Sequence, residues 1–213
     1  MDSTRIVHIS RRLLLRRLRR FVAKRNGVAA ARRCGVDPAK LREEYERRLS
    51  YYMSKTDFGP EDVKYSSYLN VYTGLVAYEI LRDAGFTEEE AFAAYNYMSA
   101  PMRKVAHATH RVADVMPGGF FFIKRTIISD LTGPKRLCWS TKLIRNDDEV
   151  FEYKITRCLY FEVCKAHGCP EFTRAFCEHD DFAYGGMRRR VKFTRFESFG
   201  EGDACCRDRF ERI

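Results

Sequence analysis

Apolar side chains recur along this chain at helical spacing first and at strand spacing later. Turned through about 100° per residue, Leu14, Leu15, Leu18, Phe21 and Val22 fall within one arc, and Arg12, Arg16, Arg19 and Arg20 take the other side. The pattern predicts a helix over 10–25, capped by Ser10 and stopped at Gly27. Asp37-Pro38 supplies an N-cap followed by proline at the first helical position, ahead of Leu41, Tyr45, Leu49 and Tyr52. Gly59-Pro60 opens a third helix, with Val63, Leu69, Tyr72, Val76 and Ile80 on its buried side and Gly85 at its end. Thr87 and Glu90 form a capping box before Ala91, Phe92 and Tyr95. Pro101 kinks or restarts this helix, which runs to about Met116, and Pro117-Gly118-Gly119 ends the helical half.

The period then changes. Residues 137–145 and 149–158 read as strands joined by the turn Asn146-Asp147-Asp148. A short helix over 160–167 stops at Gly168, and Pro170 opens another to about Phe182. In 188–197, Val191, Phe193 and Arg195 share one side of a strand, and Lys192, Thr194 and Phe196 the other. After Gly200-Glu201-Gly202, residues 203–211 form the last strand, with Cys206, Asp208 and Phe210 on one face and Cys205, Arg207 and Arg209 on the other. The expected class is α+β: a helical half, then a small antiparallel sheet in the order β-β-α-α-β-β packed with helices. The expected division is a basic amphipathic segment, 1–33, and a single domain, 34–213, whose helical half is 34–117 and whose sheet-containing half is 118–213.

Charge sharpens this picture. Eleven of the 39 Lys and Arg lie in residues 1–33 beside one acid, Asp2, and the remaining 28 are matched by 28 acids. The net charge of +10 therefore belongs to one segment, and a basic folded face of the kind that binds nucleic acid is not expected. The helix over 10–25 can dock on the body, lie on an anionic membrane surface, or serve as a transit peptide or nucleic-acid arm. With 45% hydrophobic and 14% aromatic residues there is ample material for a core. No apolar run approaches a membrane span or a secretory signal, so a cytoplasmic chain is expected, with peripheral membrane contact through 10–25. The eight cysteines are then free thiols. Oligomeric state is not fixed by these patterns.

Six of those cysteines fall between 158 and 206. Cys158 ends a strand, and pairing of the two hairpins in one sheet would put Cys158 and Cys206 at the same end. Cys177, Asp180 and Asp181 stand at i, i+3 and i+4 of a helix and face one way. The candidate pocket thus holds two or three thiols and a carboxylate or two, set against the alternative that each cysteine only packs. No CxxC pair, HxxxH, P-loop, GxSxG or helix-opening GxGxxG occurs. No cofactor is required, although a divalent metal at the Cys/Asp/His cluster is one use for those side chains. His107 and His110 read as a polar helix face, and Arg188-Arg189-Arg190-Val191-Lys192 as a strand with one solvated face, the alternative being a hold on an anionic substrate group.

Taken in order, Cys158-Leu159-Tyr160, then Gly168-x-Pro170-Glu171, Cys177-x2-Asp180, Gly200-x-Gly202 and Cys206-x2-Arg209-Phe210 resemble the L-2-amino-thiazoline-4-carboxylic acid hydrolase family over about 135–213. The ordered pattern is far more specific than any one cysteine. The resemblance implies a bacterial-type cytoplasmic hydrolase that opens a thiazoline ring to N-carbamoyl-L-cysteine. It implies a site of Cys158, Cys177, Asp180 and Cys206, supported by Glu171, and a small-molecule substrate. An arginine such as Arg207 or Arg209 would clamp the substrate carboxylate, and Arg207, Arg209 or Arg157 would lower a thiol pKa. The chain departs from the family at its end: Cys206-Arg207-Asp208-Arg209-Phe210 stands where the family tends to show Cys-Asp-Phe-Arg-Phe. Either the acid has moved to Asp208, on the face of Cys206, or the chemistry differs. The alternative from another class is a non-enzymatic small-molecule or metal-binding sensor or accessory protein that uses the same pocket.

Overall fold

The computed structural model describes residues 3–23, 40–57, 64–133 and 137–213. Its elements run α1 (Ser3–Ala23), α2 (Leu41–Lys55), α3 (Tyr65–Asp83), α4 (Glu88–Val115), α5 (Gly119–Thr132), β1 (Trp139–Asn146), β2 (Val150–Cys158), α6 (Leu159–Ala166), α7 (Arg174–Tyr184), β3 (Val191–Glu197) and β4 (Cys206–Arg212). This is an α+β protein with a helical N-terminal half and a four-stranded antiparallel sheet. Single 3-10 turns, Pro170–Thr173 and Phe199–Glu201, precede α7 and β4. The chain divides into two compact units, Met1–Ala100 and Pro101–Ile213, and α4 contributes to both.

The first unit is built on α3, whose sequence is apolar nearly all round and whose Leu69, Val71, Leu75, Val76 and Leu81 are fully buried. α1 lays Leu14, Leu15 and Leu18 into the core and leaves Arg12, Arg16, Arg19 and Arg20 exposed. Two of its other arginines are partnered: Arg11 with Glu46, and Arg17 with the Tyr97 carbonyl and ring. The helix begins at Ser3, so Ser10 is not its cap. Nothing in residues 3–9 breaks a helix, and an internal serine costs too little to start one. The capping box at Thr87 forms in both directions, Thr87 N–H to Glu90 and Glu90 N–H to the Thr87 hydroxyl. Gly27, Cys34, Asp37-Pro38, Gly59-Pro60, Val63 and the side chain of Val22 lie outside the described residues.

The second unit holds the sheet, in the order β1-β2-β4-β3. Register sets its inner face in rows. Phe193, Phe210 and Phe151 are opposite one another on β3, β4 and β2, and Arg195, Asp208 and Tyr153 form the next row. Cys206 opposite Ile155 follows at the end of the sheet where β2 finishes at Cys158. The aromatic row makes the core with α5, through Phe120, Ile123 and Ile127. That helix is absent from the sequence expectation, which ended the helical half at Gly119. The turn into it is tight: a Cβ on Gly119 would lie 1.9 Å from the Ala113 carbonyl oxygen.

One carboxylate ties the sheet to α4. Asp114, 3% exposed, accepts from the backbone amides of Arg188, Arg189, Arg190 and Val191 at 2.9–3.3 Å. The Arg188–Arg190 run thus serves the fold through its amides, while its side chains face water. Burial pushes the Asp114 carboxyl up, but the four amides outweigh it and hold the carboxyl below its ordinary value. A carboxyl lowered by folding contributes fully above the ordinary carboxylate range and loses that contribution as pH falls through the lowered value. Asp114→Ala is therefore expected to cost about 3 kcal/mol at neutral pH, from charge-assisted bonds to otherwise orphaned amides. In thermal melts, the gap between variant and parent should narrow as the pH is taken below the ordinary carboxylate range.

Candidate functional site

α7 brings its chemistry to the end of the sheet because Ala175 and Ala183 bury one side of it. Cys177, Asp180 and Asp181 then face the inner row of β3 and β4. The link is Arg195, whose side chain is 11% exposed. Its Nε lies 2.9 Å from Asp208 Oδ1 and 3.2 Å from Asp181 Oδ1. One Nη donates to the Cys177 carbonyl at 3.1 Å, and the other lies 3.6 Å from Asp180 Oδ2. One guanidinium thus serves three carboxylates on two elements. Burial alone would lower the Arg195 pKa, and the carboxylates reverse this and raise it.

Three carboxylates exceed what one cation neutralises, and their carboxyls show it. Asp208, 6% exposed, is pushed up by burial against the pull of Arg195 and of the Tyr153 hydroxyl. Asp180 is pushed up to about 6, first by desolvation and then by Asp181, against the pull of Arg195. Yet 53% of the Asp180 side chain remains open to water. Protein surrounds the carboxylate without shutting it off from water. Asp181, 44% open, is raised for the same reason.

Two thiols meet beside this cluster. Cys177 and Cys206 share a hydrogen bond, and Cys206 Sγ also accepts from the Phe199 amide at 3.4 Å. The pair holds its first removable proton between two sulfurs. The Ser198 hydroxyl and the Arg195 charge lie on the side of Cys177. Cys177 is accordingly held below the ordinary thiol range, chiefly by the hydrogen bond from Cys206, and Cys206 is driven above it. Cys158, half-buried at the start of α6, is near enough to feel Cys177 and Asp180. Burial pushes its thiol up to about 11, so it stays protonated at neutral pH.

The route of the chain between β3 and β4 explains Gly200-x-Gly202. A register shift at Phe196 turns Glu197 to the outer face, where it pairs with Lys154. The chain then crosses α7, where a Cβ on Gly200 would lie 2.7 Å from the Arg174 Cα and 3.0 Å from Cys177 Sγ. Gly202 takes a φ of 94° to return into β4.

Cys158, Cys177, Asp180 and Cys206 thus come to one end of the sheet. Glu171 lies on the 3-10 turn before α7, where its charge acts on Cys164. Arg207 and Arg209 are not at this place. Both lie on the outer face of the sheet, each forked onto the buried Glu152 and stacked on Phe196 at 4.8 and 5.1 Å. A clamp on a substrate held by Cys177 is out of their reach, because Cys206 and Arg207 point to opposite faces. Arg157 pairs with Glu162 and the Leu137 carbonyl. The guanidinium that acts on Cys177 is Arg195. Its signal in the sequence was a charge in phase with Val191 and Phe193, the apolar side of its strand.

Among the described residues, no group of three or more His, Cys, Asp and Glu side chains is arranged to hold a metal ion. His107 Nδ1 is 2.8 Å from the Phe182 carbonyl, and His110 packs edge-on to Tyr184. No helix among the described residues is long and apolar enough to cross a membrane.

The family model described as L-2-amino-thiazoline-4-carboxylic acid hydrolase matches residues 71–210, a span that runs from within α3 into β4 and includes Cys158, Cys177, Asp180, Arg195 and Cys206. No curated protein and no solved structure matches the chain.

A methyl group at 200 would have to push the turn off α7. Gly200→Ala is expected to destabilise the protein by about 1–3 kcal/mol and to change the alkylation rate of Cys177 with iodoacetamide. A melt and a thiol-labelling time course would read the two effects separately.

Proposed function

This chain belongs to the L-2-amino-thiazoline-4-carboxylic acid hydrolase family, and from that premise we propose that it opens a small cyclic amidine of the thiazoline type by hydrolysis. The observation that carries the reading is the placement of an ionisable Cys177 one helical turn from Asp180, with Arg195 between them.

The ring carbon bonded to nitrogen and sulfur in an aminothiazoline is electrophilic, and its nitrogens form a planar cationic fork when protonated. The open carboxylates of Asp180 and Asp181 match such a fork, as a carboxylate matches a guanidinium. Cys177, as thiolate, attacks that carbon, and the carbon–ring sulfur bond breaks. Water then adds at the same carbon while Asp180 takes its proton, and the Cys177 sulfur leaves. Asp180 passes the proton to the ring sulfur. Water's oxygen ends in the carbamoyl group and its proton on the freed thiol. Cys206 and the Ser198 hydroxyl hold the thiolate between attacks. Arg195 keeps its charge throughout, since the surrounding carboxylates raise its pKa.

Turnover of L-2-amino-thiazoline-4-carboxylate, followed by release of free thiol, tests this. Cys177→Ser is expected to lower kcat on the order of 10³-fold or more, and Asp180→Asn on the order of 10²–10⁴-fold. Unchanged turnover in both variants would remove the assignment. Asp180 must be ionised to bind the cation and accept water's proton, and its carboxyl titrates at about 6. In the parent, kcat/KM should therefore fall as pH drops through about 6. In Asp180→Asn the residual rate should keep only the acid limb set by the thiol.

A further inference from the structure

Cys177 and Cys206 belong to different elements, α7 and β4, yet their sulfurs face each other across one hydrogen bond. Their surroundings differ. Cys177 is partly open to water, one helical turn from the exposed Asp180. Cys206 is 7% exposed and is fixed from behind by the Phe199 amide. A small oxidant arriving from solvent meets Cys177 first and finds a second thiol already against it. This is the arrangement of an attacking and a resolving cysteine. The other described cysteines offer less: Cys138, Cys164, Cys169 and Cys205 are buried, and burial holds Cys158 protonated.

We propose that Cys177 and Cys206 form a peroxide-sensitive pair, in which hydrogen peroxide or an organic hydroperoxide converts the two thiols to a disulfide that closes the site. In the first step the Cys177 thiolate attacks the terminal peroxide oxygen. A sulfur–oxygen bond forms, the oxygen–oxygen bond breaks, and the departing hydroxide takes a proton to become water, or with an organic hydroperoxide the departing alkoxide takes one to become the alcohol. Cys177 is then a sulfenic acid. In the second step Cys206 gives up its proton and attacks the Cys177 sulfur. The sulfur–sulfur bond forms, the sulfur–oxygen bond breaks, and a second water leaves. Two electrons pass from the two thiols to one peroxide, so the step needs no other co-reactant. Arg195 and the Ser198 hydroxyl keep Cys177 supplied as thiolate. The Phe199 amide orients the Cys206 sulfur toward it. The chemical step stands on the thiol pair alone; its effect on turnover rests on the hydrolase reading.

The test uses the full chain, reduced and then titrated with hydrogen peroxide. Remaining thiols are blocked with N-ethylmaleimide, and the digested peptides are mapped by mass. The expected result is the loss of two thiols and two hydrogens, with the Cys177 and Cys206 peptides joined. Thiazoline turnover should fall at least tenfold in step with that product and return with dithiothreitol. Cys206→Ser should leave Cys177 as a sulfenic acid captured by dimedone, and Cys177→Ser should leave Cys206 reduced. If either variant fails to fold, the map of the parent protein decides alone. A map in which Cys177 joins Cys158, or stays unmodified while other thiols react, overturns the proposal. A reduced protein that turns over no thiazoline yet forms the Cys177–Cys206 bond would defeat the hydrolase reading and leave this one standing.

Discussion

The buried guanidinium of Arg195 is the interaction on which the sheet-bearing unit turns. Removing a charge from water costs several kcal/mol, and that cost is offset only by close, well-directed partners. Asp208, directly opposite on β4, is one such partner and is itself buried. Arg195 then has donors left for α7: the Cys177 carbonyl and the carboxylates of Asp180 and Asp181. The helix that carries the reactive groups is thus positioned by a charge on the sheet. Apolar packing alone would fix the helix less sharply in register, because dispersion and area burial are non-directional.

The same charge sets the chemistry. Burial raises all three carboxyls, and each carboxylate raises a neighbour further, against the pull of the one cation. The thiol beside the cation moves the other way, chiefly through the hydrogen bond from Cys206 and then through Ser198 and the Arg195 charge. A carboxyl raised toward neutrality and a thiol lowered toward it therefore stand on a single helix, separated by one turn. The division follows from distance to Arg195 and from hydrogen bonding, and the residue types alone do not decide it. Cys158 makes the contrast plain: the same side chain, half-buried a short way off, is pushed up to about 11.

Much of this was legible in the sequence, and the rest was not, for physical reasons. Period-two alternation put Cys206, Asp208 and Phe210 on one face of β4, and helical spacing put Cys177 with Asp180, because both depend on local geometry alone. The capping box at Thr87 is equally local. α5 went unread because Phe120-Phe121-Phe122-Ile123 is an unbroken apolar run after two glycines, which carries neither period. Its burial comes from Phe151 and Phe210, far off in sequence. Arg207 and Arg209 looked like substrate ligands because the partner that occupies them, Glu152, lies 55 and 57 residues away. Which cation faces which anion is decided by sheet register, and register across β2 and β4 is not written in either strand by itself.

The departure at the end of the chain has a consistent explanation in that register. A strand reverses face at every residue, so the position immediately after Cys206 points outward, opposite Lys154 and diagonal to Glu152 on the neighbouring strand. Here that position is Arg207, and it forks onto Glu152. The acid stands one residue later, at Asp208, where it faces inward and meets Arg195. Arg207 and Asp208 thus serve the two faces separately: one ion pair fixes the outer side of β2 and β4, and the other places α7 over the inner side. Asp208 without Arg195 would be a buried, unpaired carboxylate, and Glu152, 2% exposed, would be another without Arg207 and Arg209. The unusual ending is one half of a charge arrangement whose other half is Arg195 and Glu152, and it leaves Cys206 where the pairing with Cys177 requires it.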